Sequence, residues 1–277
     1  MSEKLQKVLA TAGKGSRREM ERWISEGRVS VNGKLATLGD RVIETDKILL
    51  DGRPVKRPDP KSHRNRILIY NKPEGEIVTR KDPEGRKTVF DRLPRLEGER
   101  WISVGRLDFN TSGLLLFTND GELANALMHP SRQVDREYLC RVMGEVDDAM
   151  LARLREGVAL EDGVAKFNTV GLRGGEGINR WYHVTLTQGR NKEVRRLWES
   201  QGVLVNRLKR VRYGNVIIPS FLAEGKWVEM DPKARNEVYK LVDVQTRREP
   251  PLSRKEKDSQ ERQLARLRRR GGGRPTR

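Results

Sequence analysis

The chain has 277 residues, with 57 Lys+Arg against 39 Asp+Glu, a net charge of +18 and a pI of about 10.3. So large a cationic excess calls for a polyanionic partner, either nucleic acid or an anionic membrane surface. A single cysteine, Cys140, excludes an intramolecular disulfide or cysteine-held zinc, and no apolar run approaches the roughly 20 residues that span a bilayer.

The opening residues do not read as a signal peptide, so the expected protein is soluble and cytoplasmic. Leu5, Val8, Leu9 and Ala12 recur at helical spacing, and Gly13-Lys14-Gly15 stops that helix. Ser16 opens a second helix, with Glu19 completing a capping box and Met20, Trp23 and Ile24 as its apolar face. Val29 and Val31 alternate as a strand into a hairpin signal at Asn32-Gly33, and Ile48–Leu50 leads into Asp51-Gly52. Lys14, Arg17, Arg18 and Arg22 fall on exposed helix positions. Residues 1–61 carry 14 Lys+Arg and 9 Asp+Glu. The polar, Pro-containing stretch 56–66 lacks periodicity and reads as a linker that lets this module move.

From Ile67 to Val244 strands dominate. They are expected at 67–70, 77–79, 101–104, 113–118, 137–142, 164–170, 182–186, 205–213 and 227–230, with helices at 122–128 and 191–200. Short turns between them predict an α+β domain, a mixed and mainly antiparallel sheet with flanking helices, over residues 62–245. His63, His129 and His183 lie too far apart to support a metal site. Residues 246–277 hold 12 Lys+Arg and 4 Asp+Glu with almost nothing apolar, and read as a disordered basic arm.

Three polar stretches stand out: Gly105-Arg106-Leu107-Asp108 through Gly113, Arg136-Glu137-Tyr138, and Gly189 through Trp198. Taken singly, an Asp between strands forms turns, a Tyr in a strand packs, and arginines at a helix start are solvated or face phosphates. Together they resemble the pseudouridine synthases, in the branch that modifies bacterial ribosomal RNA. Gly-Arg-Leu-Asp-x-x-Thr-Ser-Gly-Leu-Leu resembles the signature around that family's catalytic aspartate. Matching stretches are Tyr-Asn-Lys-Pro-x-Gly at 70–75, Thr-Asn-Asp-Gly at 118–121, Met-His-Pro-Ser at 128–131 and Thr-x-Gly-Arg-Asn-x-Glu-Val-Arg-Arg-Leu at 187–197. The N-terminal region, through Gly-Arg-Val-Ser-Val-Asn-Gly at 27–33, resembles the RNA-binding module of ribosomal protein S-four.

The resemblance implies a reaction that cleaves the bond between uracil and ribose, turns the base and rejoins it through carbon five. It needs no cofactor and no metal. Asp108 becomes the essential carboxylate, Arg195 the cation that aims it by a bidentate pair, and Tyr138 the residue that stacks on the uracil or removes the proton from its carbon five. Arg190 and Arg196 become phosphate contacts, Arg106 a filler for the space left by the flipped nucleotide, and Leu208 the pocket floor. Arg17, Arg18, Arg22 and Arg28 become RNA contacts of the small module. The implied partner is large-subunit ribosomal RNA, in its peptidyl-transferase region, or an assembling large particle. The protein is expected to be a monomer away from membranes. The rivals are a non-catalytic RNA-binding assembly factor, which need not keep Asp108, Tyr138 and Arg195 together, and an RNA-cleaving enzyme, which would want a carboxylate cluster or a histidine pair.

Overall fold

The computed structural model describes residues 2–58, 63–245 and 250–271, which divide into two compact units. The first is built from β1 (Glu3–Lys4), α1 (Leu5–Thr11), α2 (Arg17–Ser25), β2 (Val29–Val31), β3 (Lys34–Leu35), β4 (Arg41–Val42), β5 (Ile48–Leu50) and β6 (Arg53–Pro54). Ser16 Oγ accepts the Glu19 N–H at 3.1 Å and Glu19 Oε2 accepts the Ser16 N–H at 3.3 Å, so the capping box starts α2 as the sequence predicts. Both hairpin signals form turns. Asn32-Gly33 joins β2 to β3 and Asp51-Gly52 joins β5 to β6, all four residues at positive φ, in a sheet ordered β3-β2-β5-β6. Leu5, Leu9, Met20, Ile24 and Val29 close a small core.

This unit also takes in residues 94–102, and Gly13 shows why. A Cβ there would sit 2.9 Å from the Glu99 carbonyl oxygen. The stretch read as a linker is tied down on both sides. Arg57 donates to the Ile43 and Asp46 carbonyls at 2.6 and 2.9 Å, and Arg64 to the Pro250 and Pro251 carbonyls at 3.1 and 2.6 Å. Residues 59–62 lie outside the described residues.

The second unit is an α+β fold on a nine-stranded sheet. Its strands are β7 (Ile67–Lys72), β8 (Ile102–Val104), β9 (Ser112–Thr118), β10 (Arg136–Met143), β13 (Thr169–Glu176), β14 (Asn179–Leu186), β15 (Leu204–Tyr213), β16 (Val216–Ile217) and β17 (Trp227–Glu229). A separate hairpin pairs β11 (Val158–Leu160) with β12 (Gly163–Ala165). The main order is β13-β14-β10-β15-β9-β7-β17, antiparallel except for the parallel β15–β9 contact. Every residue of β7 and β9 is buried, which is why each carries a continuous apolar run, at 67–70 and 114–117, whereas β10 alternates buried and half-buried positions.

The helices are α3 (Gly121–Met128), α4 (Asp148–Glu156), α5 (Glu193–Glu199), α6 (Pro232–Leu241) and α7 (Arg254–Gly271). Asp120, Asp147 and Asp231 cap the first, second and fourth of these by accepting backbone N–H groups. No helix among the described residues is long and apolar enough to cross a membrane.

Three expectations change. The strand at 77–79 reduces to one bridge, Ile77 to Thr88. The run 164–170 divides between β12 and β13, because each pairs with a different partner. Within the tail expected to be disordered, residues 254–271 form an 18-residue helix, while 246–249 and 272–277 lie outside the described residues. Ser253 and Glu256 cap its start, Gln260, Gln263, Leu264 and Leu267 make a half-buried stripe, and Gln263 donates to the Trp227 carbonyl at 3.3 Å.

Candidate active site

Asp108 sits on the loop between β8 and β9, and the loop is held through its backbone. The Thr111 N–H bonds the Asp108 carbonyl at 3.1 Å and the Gly75 N–H bonds the Phe109 carbonyl at 3.0 Å. Lys72, at the end of β7, has no exposed surface. Its ammonium donates to the Pro73 and Thr111 carbonyls, both at 2.9 Å, and to the Phe109 carbonyl at 3.4 Å. Burial pulls its pKa down to about 8, against the upward pull of the Glu76 and Asp108 carboxylates. Arg195 on α5 donates to the Asn110 carbonyl at 2.9 Å and the Val205 carbonyl at 2.5 Å. Two segments distant in sequence, 72–75 and α5, thus converge on the carbonyls of residues 109–111. The Asp108 carboxylate itself makes no hydrogen bond or ion pair among the described residues. The expected bidentate pair with Arg195 is absent; Arg195 reaches the loop, but through a backbone carbonyl.

Gly113 closes the loop at φ +100°. A Cβ on it would lie 2.2 Å from the Arg210 carbonyl oxygen, so the parallel approach of β9 to β15 requires glycine here. Arg210 faces Gly113 on one side and Tyr138 on the other. It is 2% exposed, its Nε donates to the Leu114 carbonyl at 2.8 Å, and its guanidinium lies 5.1 Å from the Tyr213 ring centre. Tyr138 is buried on β10, and Leu208 is buried opposite Cys140, whose thiol burial pushes up to about 12.

The remaining predicted residues divide by what holds them. Arg106 is exposed on the loop. Arg190 and Arg196 were expected on phosphates, but both grip the β11–β12 hairpin. Arg196 forks onto Asp162 with two contacts of 2.9 Å, and Arg190 reaches the Gly163 and Val164 carbonyls at 2.9 Å each. The fork holds the Asp162 carboxyl below the usual carboxylate range. In the first unit Arg28 is likewise engaged, bidentate on Asp51 at 2.9 and 2.6 Å and 4.4 Å from the Trp23 ring centre. Arg17 and Arg18 are exposed with no ion pair among the described residues, and Arg22 is exposed beside Glu26 at 3.5 Å.

Two further residues shape the site. Lys72 lies inside the 70–75 stretch, which reads as turn chemistry until the loop carbonyls around it are seen. Arg136 is buried, donating to the Val134 and Gln188 carbonyls at 3.2 and 3.1 Å, to the Thr187 carbonyl and to the Tyr213 hydroxyl at 3.2 Å. It fixes the turn that leads into α5, and so the base from which Arg195 reaches the loop.

The site therefore joins a carboxylate with no hydrogen bond or ion pair among the described residues, on a loop braced through its backbone, to a helix that reaches the same loop through Arg195. Known proteins narrow the class. The RNA pseudouridylate synthase family profile matches residues 66–200, and the S4 domain profile matches residues 3–48. The chain is 60% identical over 256 residues to a ribosomal large subunit pseudouridine synthase B of Haemophilus influenzae, covering 92% of this chain and 72% of that one. It is 62% identical over 246 residues to the protein of that name from Escherichia coli (strain K12), covering 88% and 84%. A crystal structure of a pseudouridylate synthase, at 24% identity, shares the fold with a TM-score of 0.60 over 86% of this chain and 99% of that one. The chain belongs to the RNA pseudouridylate synthase family and is an RNA pseudouridine synthase.

Proposed function

We propose that this enzyme converts a specific uridine of the large-subunit (23S) ribosomal RNA to pseudouridine, with Asp108 as the essential carboxylate. The observation that carries the assignment is the Asp108 side chain, which makes no hydrogen bond or ion pair among the described residues, on a loop braced at four backbone positions. In this reading the bond between uracil N1 and ribose C1′ breaks, the base turns, and a bond from C5 to C1′ forms. N1 gains a proton and C5 loses one, so the reaction is an isomerisation. Asp108 assists departure of the base, by attack on the sugar or by removing a sugar proton. Tyr138 faces the uracil over the Leu208 floor, and Arg106 fills the space that the flipped nucleotide leaves.

The module of residues 1–61 supplies affinity through Arg17, Arg18 and Arg22, working as a domain separate from residues 62–245. The names of the relatives and the rRNA-modifying branch the sequence resembles support the large-subunit substrate. Carbodiimide–primer extension on ribosomal RNA from a strain lacking the protein tests this. At least one pseudouridine stop in the large-subunit RNA disappears and returns on complementation. Retention of every stop would refute the substrate assignment.

A further inference from the structure

Side chains alternate across a strand, so β10 presents two faces. Arg136, Tyr138, Cys140 and Val142 are buried on one, while Glu137, Leu139, Arg141 and Met143 are half-buried on the other. On the second face the register sets Arg141 directly opposite Arg207 of β15 and Trp181 of β14, and Leu139 opposite Lys209 and His183. Arg207 is exposed, and Arg141, Lys209 and Trp181 are half-buried.

These cations differ from the ones that pin this unit through ion pairs. Arg66, Arg86, Arg92 and Arg196 each hold a carboxylate, on Glu229, Asp82, Glu76 and Asp162, within 2.6–2.9 Å. Arg141, Arg207 and Lys209 hold none among the described residues. Glu137, on the same face, is already taken by His183 and by Arg212 at 2.5 Å. Glu176, at the far end of β13, pairs with none of the three. Two arginines set directly across a strand pair repel each other, and no protein carboxylate relieves them. A polyanion would relieve them, and an indole beside them offers a base-stacking surface.

We propose that this open sheet face is an RNA-docking platform, where Arg141, Arg207 and Lys209 take phosphates and Trp181 takes a base. The inference rests on RNA being the substrate. It adds a surface outside the residues assigned to the chemistry, since Tyr138 leaves β10 on the other face.

The test uses the full chain carrying Arg141→Gln, Arg207→Gln and Lys209→Gln, and a fluorescent stem-loop RNA copied from the large-subunit sequence. Binding is titrated across a series of KCl concentrations. Each lost phosphate contact removes roughly 0.7–0.9 from the salt slope, so the slope of log Kd against log salt falls by about 2–3. Turnover at saturating RNA stays at the parental value, and the thermal midpoint holds or rises as the repulsion is relieved. Trp181→Ala weakens binding by about tenfold or more, and Trp181→Phe keeps most of it. An unchanged salt slope in the folded triple variant overturns the proposal, and is also the outcome expected if the face serves an acidic protein. Should the triple variant fail to fold, Arg207→Gln alone, at an exposed position, decides the matter by a slope lower by roughly 0.7–0.9 or unchanged. Loss of the large-subunit assignment would show instead as absence of product from the parental protein.

Discussion

Two aspartates on turns of the same unit are treated in opposite ways. Asp162, on the β11–β12 hairpin, is held by its side chain, forked by Arg196 and touched by Arg190. Asp108 is held by its surroundings. Lys72, Gly75 and Arg195 bond the carbonyls of residues 109–111, and its carboxylate makes no hydrogen bond or ion pair among the described residues. An aspartate whose carboxylate is neutralised by a fork serves the fold. One whose loop is braced through the backbone keeps its oxygens for something else. Bracing of this kind positions a side chain without neutralising it, which is what the role proposed for Asp108 requires.

The comparison can be broken by single substitutions. The largest effect is expected from Asp108→Asn, which leaves no detectable pseudouridine while RNA affinity stays within a few-fold and thermal unfolding is unchanged. Next is Lys72→Met, a near-isosteric swap that removes the ammonium from three carbonyls. Turnover should fall by about 100-fold or more with little change in KM. Stability should move by only about 1–2 kcal/mol, because relief of a desolvated charge offsets the carbonyls left unbonded. A variant with parental turnover would show that the loop does not depend on Lys72.

The same residue sets a pH dependence. Its folded pKa of about 8 lies below the ordinary lysine value of roughly 10.4. The charged form therefore costs stability below pH 8, and that cost fades as the pH rises toward 10.4. Activity moves the other way. A neutral amine has one N–H fewer for its three carbonyls, so turnover should decline with a midpoint near pH 8, and Lys72→Arg should shift that decline to higher pH. A profile flat from pH 7 to 9.5 would contradict it. The smallest effect belongs to Asp162→Asn, a half-exposed pair. Its contribution is present above the ordinary aspartate range and lost as acid protonates the lowered carboxyl, and at neutral pH turnover should stay within about threefold.

Much of this was legible along the chain because its signals are local. The Ser16–Glu19 box, the Asn32-Gly33 and Asp51-Gly52 turns and the apolar runs of β7 and β9 each declare themselves within a few residues. The Asp108 loop was legible as a dense motif, and Arg195 through the run at 187–197. The partners were not. Lys72 meets the Thr111 carbonyl 39 positions away, Arg28 meets Asp51 over 23, Arg196 meets Asp162 over 34, and Arg210 meets Leu114 over 96. A cationic side chain looks the same in sequence whether it will face a phosphate, a carboxylate or a ring of carbonyls. The long-range register decides, which is why the carboxylate and carbonyl partners of Arg28, Arg190 and Arg196 could not be read along the chain. The helix at 254–271 is a different lapse. Ser253 and Glu256 form a readable cap, and Gln260, Gln263, Leu264 and Leu267 a readable stripe, but the high charge and paucity of apolar residues masked both.

The account turns on the Asp108 carboxylate, and the most direct measurement compares it with its counterpart. Asp108→Asn and Asp162→Asn proteins are each incubated in excess over the same large-subunit RNA, and product is followed by carbodiimide–primer extension. The account predicts no stop with the first and a stop of parental intensity and rate with the second. Product formed by Asp108→Asn at anything near the parental rate would contradict it.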